Sequence, residues 1–105
     1  MNKETLTVET NEDGTIRYYN EYGDLHNPNG PAVIWPDGGQ EYWINDQLHN
    51  PNGPAVIYPD GDKFYYINDK ELSEVEFKAW QAQQDAPLHN TTAVIDGIEY
   101  TLTAK

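Results

Sequence analysis

LHNPNGPAVIWPDG, residues 25–38, returns 23 residues later as LHNPNGPAVIYPDG, residues 48–61. The two copies differ only at Trp35 and Tyr58. A unit this short cannot bury a core alone, so it has to stack on its neighbours. Within the first copy, Pro31 to Trp35 reads as a strand, and Pro36-Asp37-Gly38-Gly39 as a reverse turn. Proline presets φ in such a turn, and glycine supplies the positive φ. Gln40 to Asn45 reads as the antiparallel partner. Ala55 to Tyr58, the turn Pro59-Asp60-Gly61 and Lys63 to Asn68 repeat the grammar one unit on.

The connecting Leu-His-Asn-Pro-Asn-Gly-Pro segments are expected to be rigid bends. Pro28 and Pro51 cannot donate to a ladder, and Gly30 and Gly53 tolerate a left-handed backbone. Rings recur in phase, Tyr42 with Tyr65, Trp43 with Tyr66, and Trp35 with Tyr58. They are expected to meet as cross-strand pairs, each contributing roughly 0.2–1 kcal/mol.

Weaker copies flank the two clear ones. Leu6 and Val8 alternate with polar residues as a first strand, Asn11 to Gly14 is turn material, and Thr15 to Asn20 reads as the returning strand. Asp13-Gly14 through Tyr18-Tyr19 matches Asp37-Gly38 through Tyr42-Trp43, with one extra residue before Leu25. Leu88-His89-Asn90 followed by Ala93 to Gly97 is a shortened copy whose Asp96-Gly97 signals a two-residue hairpin turn. Between them, Ser73-Glu74-Val75-Glu76 has the form of a capping box. A helix from Glu74 to Gln84 follows, laying Phe77 and Trp80 over the sheet as a cap.

The expected fold is mainly β, a β-rich α+β chain: an antiparallel β-hairpin repeat meander with one short helix. It forms a single repeat domain over 1–105. Residues 1–24 are an N-terminal cap hairpin and partial repeat, 25–47 and 48–72 are repeats, 73–85 hold the helix, and 86–105 are a degenerate repeat and C-terminal hairpin.

The run Tyr42-Trp43-Ile44-Asn45-Asp46-Gln47-Leu48-His49, then Gly53-Pro54-Ala55, then Tyr58-Pro59-Asp60-Gly61, resembles a variant MORN repeat. The likeness covers about Asp13 to Asp69, with an echo from Leu88 to Tyr100. Two departures stand out. Asp46 and Asp69 replace the usual glycine after asparagine, and Asn-Pro-Asn is inserted between histidine and glycine. Repeats followed by Leu-Ser-x-x-Glu-Phe-x-x-Trp, here Leu72 to Trp80, resemble small proteins of bacteriophage type. The resemblance implies hairpin stacks that serve as scaffolds and binding surfaces rather than as enzymes.

The residues themselves point away from catalysis. His26, His49 and His89 share one phase of the unit. Equivalent side chains two strands apart lie roughly 10 Å from one another, whereas zinc needs ligands at about 2.0–2.1 Å. Each histidine is therefore expected to cap its own loop, and no metal is expected. The carboxylate pairs Asp60 with Asp62 and Glu74 with Glu76 fall in a turn and at a helix start, where solvation and dipole stabilisation are the ordinary roles. Asp60-Gly61-Asp62 is too short for a calcium loop. Phosphate-loop glycines, a Ser/His/Asp order and a cysteine nucleophile are all missing. No enzyme activity and no cofactor are expected.

Charge carries the functional expectation. Eighteen acids face six bases, a net charge of −12. From Tyr18 to Asp62 there is no lysine or arginine, but there are seven acids. Such a field repels nucleic acid and anionic membrane, so neither is an expected direct partner, and it attracts basic protein surfaces. The chain has no cysteine, no apolar leader at its start and no apolar run of membrane length. A cytoplasmic location is expected, the host cytoplasm for a phage-encoded protein.

Two functions compete. The first is an acidic inhibitor that occupies a basic groove of a nucleic-acid-binding effector as a DNA mimic. The phage-type resemblance directs this towards host defence, as an anti-CRISPR or anti-restriction protein. Its contact residues would be Asp37, Glu41, Asp46, Asp60, Asp62 and Asp69, with Trp35 and Tyr58 as anchors. The alternative is a structural or interaction module whose aromatic face or sheet edge docks a partner or a second copy, as a homodimer.

Overall fold

Eleven short strands and one helix make up the described parts of the chain. The computed structural model describes residues 5–84 and the strand segments 91–95 and 98–102. Seven strands form one sheet in the order β1-β2-β3-β4-β7-β8-β9. Their spans are β1 Thr7–Thr10, β2 Ile16–Tyr19, β3 Val33–Ile34, β4 Gln40–Glu41, β7 Val56–Ile57, β8 Lys63–Ile67 and β9 Lys70–Leu72. All pairings are antiparallel. A separate two-stranded ribbon joins β5 Trp43–Ile44 to β6 Gln47–Leu48. The mainly β expectation, with one helix, is met.

Three hairpins share one turn design. Glu12-Asp13-Gly14, Pro36-Asp37-Gly38 and Pro59-Asp60-Gly61 are three-residue loops, closed by backbone bonds Asn11 N to Thr15 O, Trp35 N to Gly39 O and Tyr58 N to Asp62 O, each 2.9 Å. The third residue must be left-handed for such a loop to match the strand twist. Gly14, Gly38 and Gly61 accordingly have φ of 95°, 95° and 99°. In an antiparallel meander all three tips fall on the same margin of the sheet, two strands or roughly 10 Å apart.

The strand expected over Gln40 to Asn45 is interrupted at Tyr42. Its N–H donates to Ala55 O at 2.7 Å, extending the β4–β7 ladder, while its carbonyl accepts from His49 N at 3.0 Å in the β5–β6 ladder. Tyr42 is thus the point where the chain changes partner and the ribbon leaves the sheet. The ribbon closes through Asn45 and Asp46, with φ of 48° and 70°. Asn68 and Asp69 repeat this with φ of 50° and 71°. Two successive positive φ values define a two-residue hairpin turn of the primed type.

These turns tie the start of each repeat to its far end. Asp46 N donates to Leu25 O at 2.8 Å, and Leu25 N donates back to Asp46 Oδ1 at 3.1 Å. Asp69 and Leu48 make the same reciprocal pair, at 2.8 and 3.1 Å. A glycine would carry the positive φ with less strain but would lose this carboxylate bond, which explains the departure from Asn-Gly. The histidines complete the lock. Asn45 N donates to His26 Nδ1, and Asn68 N to His49 Nδ1, both at 3.0 Å. The expectation that each histidine caps its own loop is corrected for His26 and His49, each of which holds the turn at the far end of its own repeat; His89 lies outside the described residues. Capping within the loop falls to Asn27 and Asn50. Their Nδ2 groups donate to Pro31 O and Pro54 O, and their Oδ1 atoms accept from Asn29 N and Asn52 N. Gly30 and Gly53 do not use the left-handed region foreseen for them.

The core is thin: Ala32, Val33, Ala55, Val56 and Phe77 are its buried apolar residues among those described. Helix α1, Glu74–Gln84, has the predicted span. Its capping box is formed, with Ser73 N donating to Glu76 Oε1 at 2.8 Å and Glu76 N to Ser73 Oγ at 3.1 Å. Phe77 lies 4.7 Å from Tyr65 and 6.0 Å from Trp80, between ring centroids. Gln81 Nε2 reaches Pro51 O at 3.1 Å. The in-phase ring pairs do not form. The one ring contact made within the sheet is Tyr58 on Phe64, at 5.7 Å and within a single hairpin. An intervening strand separates in-phase positions, so only adjacent strands bring rings together.

β10 Thr91–Ile95 and β11 Ile98–Leu102 pair as an antiparallel hairpin, with Ile95 opposite Ile98 across positions 96 and 97. The Leu88-His89-Asn90 echo and the Asp96-Gly97 turn lie outside the described residues.

Candidate functional site

The predicted contact residues separate into two margins and one face. On the tip margin, Asp37 Oδ1 accepts from Gly39 N at 2.9 Å and Asp60 Oδ1 from Asp62 N at 3.0 Å. Each aspartate thereby braces its own turn with one oxygen. Asp62 is exposed beside them. Asp13 continues the row, its Oδ1 accepting from Thr15 N at 2.9 Å. That backbone bond above all holds the Asp13 carboxyl below its ordinary range. Sequence reasoning left Asp13 out of the candidate set, although its match to Asp37 was the signal that could have placed it there.

Asp46 and Asp69 occupy the opposite margin and hold the turns together, so their carboxylates serve the stack as well as the surface. Between the margins lies Glu41. Opposite residues of an antiparallel pair share a face. Arg17, Val33, Glu41, Val56 and Phe64 therefore form one row across five strands. Trp43 Nε1 donates to Glu41 Oε1 at 2.9 Å and Trp35 Nε1 to Glu41 Oε2 at 3.3 Å. The Arg17 guanidinium sits 5.5 Å above the Trp35 ring. Gly39 makes room for that ring: a Cβ there would lie 3.3 Å from Trp35 Cδ1 and 3.2 Å from Asp37 Oδ1. Tyr58, 47% exposed, stands on the same face one unit on. Trp43 and Arg17 are the participants missed from sequence, because their roles depend on which strands end up adjacent.

Among the described residues, Lys78 with Glu74 at 3.5 Å is the one ion pair. No described lysine or arginine comes within that range of a candidate carboxylate. No group of three metal-ligating side chains occurs among the described residues, and no described helix is long and apolar enough to cross a membrane.

The reverse face carries an open cleft of about 610 Å³ between the loops 27–30 and 50–54, floored by Tyr42, Ile44 and Ile57. His49 lines it. Burial pushes the His49 imidazole below its ordinary value of 6.5. The unfolded chain then takes up the proton first as pH falls. His49's contribution to stability is complete above about pH 6.5 and is lost as pH falls through the folded value. Urea midpoints at about pH 7.5 and about pH 5.5 should differ more for the wild type than for His49→Gln. Equal differences would deny His49 this role.

No protein-family model matches the chain, and neither a curated protein nor a solved structure matches it.

Proposed function

We propose that the chain is a non-enzymatic acidic binding protein that occupies a basic, nucleic-acid-binding groove on a partner protein, as a DNA mimic. In its narrower form it is a phage-type inhibitor of a host defence machine, an anti-CRISPR or anti-restriction protein. The observation that carries this reading is the recurrence of carboxylates along both sheet margins with no cation in salt-bridge range among the described residues.

Magnitudes set its scope. The pitch of one unit is roughly 10 Å, a length over which duplex DNA presents about six charges. Each full repeat offers three of the predicted contact carboxylates, Asp37, Glu41 and Asp46 in the first and Asp60, Asp62 and Asp69 in the second, where Glu71, Lys63 and Lys70 also fall. The array has about half the charge density of the duplex it would imitate. That suffices to steer a basic surface towards the protein and to contest its groove, with the aromatic face supplying the shorter-range contacts.

The test is capture of a partner from bacterial lysate. Its complex should weaken at least tenfold between about 50 and about 200 mM salt. It should weaken again on combined Asp13→Asn, Asp37→Asn and Asp60→Asn substitution, and it should be displaced by duplex DNA. A complex indifferent to salt and to these substitutions rules the proposal out. The interaction-module alternative is favoured by one feature, the edge strand β1, whose four residues are all exposed. It requires that Trp35→Ala or Tyr58→Ala matter more than the aspartates, or that the free chain dimerise in sedimentation at two concentrations.

A further inference from the structure

We infer that Glu41, held between Trp35 and Trp43, is a docking site for an arginine side chain of the basic partner, a step that rests on the binding function proposed above. Both carboxylate oxygens accept indole N–H bonds, at 2.9 and 3.3 Å. Those donors are neutral, so they orient the carboxylate without cancelling its charge. Each carboxylate oxygen has a further lone pair, and no cation lies within 4 Å of Glu41 among the described residues. Glu41 is half-buried, between Val33 and Val56 on the neighbouring strands. A charge so placed is screened less by solvent than one at a turn tip.

The indole rings determine which cation fits. The chain's own Arg17 already lies over Trp35, 5.5 Å from its centroid, so this face accepts a guanidinium. Trp43 has no such cation among the described residues. A guanidinium can stack on a ring and still present its planar fork to a carboxylate, and it sheds water more readily than an ammonium. Arginine is therefore the expected occupant, in preference to lysine. The site occurs once. In the next repeat Phe64 replaces Glu41, and Tyr58 packs edge-on against it at 5.7 Å.

The probe is Nα-acetyl-arginine methylamide, titrated into ¹⁵N-labelled protein with the lysine analogue in parallel. The three indole N–H resonances report separately, and Trp80, on the helix, is the internal control. Trp35 and Trp43 should shift saturably with the arginine compound while Trp80 does not move. The lysine compound should bind at least fivefold more weakly. Glu41→Gln should weaken arginine binding at least tenfold with the amide spectrum otherwise retained. Trp43→Phe, which keeps a ring but removes the N–H, should weaken it less. The absence of a saturable shift, equal response to lysine, or indifference to Glu41→Gln overturns the site. If arginine fails while a captured partner still responds to salt and to the tip aspartates, this site is lost and the proposed function stands. Arginine binding by a protein whose captured partner ignores salt and aspartate substitution refutes the margins alone.

Discussion

Replacing Phe77 with alanine should destabilise the protein by about 3–5 kcal/mol, the usual range for a buried phenylalanine. Phe77 is the one buried side chain of α1, 3% exposed and stacked between Tyr65 and Trp80. A small domain has only about 5–15 kcal/mol of stability, so this is a large share of the whole. The loss should also be local. In a stack each unit touches only its neighbours, so β8 and β9 amides should exchange faster with solvent while those of β1 and β2 change little. Val75, on the same helix and 78% exposed, provides the control: Val75→Ala should stay within about 0.5 kcal/mol of wild type. Similar urea midpoints for the two variants would mean that the helix does not close the end of the stack.

His26→Ala should cost about 2–4 kcal/mol, from a cavity and a lost acceptor together. His26 is 3% exposed, and its Nδ1 receives the Asn45 amide across 19 residues of chain. His26→Asn restores an acceptor near the same place and should recover about 1 kcal/mol. Exchange of the Asn45 amide should quicken in the alanine variant and recover in the asparagine variant. His49→Ala removes the same chemistry at a more exposed position and should cost less. If the two alanine variants lose equal stability, burial is not what distinguishes these positions. Twenty-three residues beyond His49 the position is Leu72, after which the chain enters the helix.

Features set by neighbouring residues were open to reading in advance. Ser73 and Glu76 lie three residues apart and satisfy each other's amides, so the start of the helix was visible in four letters. Asp37 and Asp60 bond two residues ahead, and each tip carries its own glycine, so the hairpin turns were equally plain. The 23-residue period announced a stack. The acids were legible as a composition, but their division between two margins was not.

What escaped the linear reading spans 19 to 21 residues. His26 on Asn45, Leu25 on Asp46, and Leu48 on Asp69 join the start of a repeat to the turn at its far end. Such bonds exist only after the strands between have folded back on one another, and no short window of sequence contains both partners. The same holds for Glu41 between Trp35 and Trp43. Glu41 and Trp43 are only two residues apart, on either side of the break at Tyr42, but the ladder with β3 brought Trp35 to the other oxygen. Local chemistry therefore dictated the parts of this protein, its hairpins, helix and excess of acid. Strand order in three dimensions selected which carboxylates brace the stack and which one stands ready between two indoles.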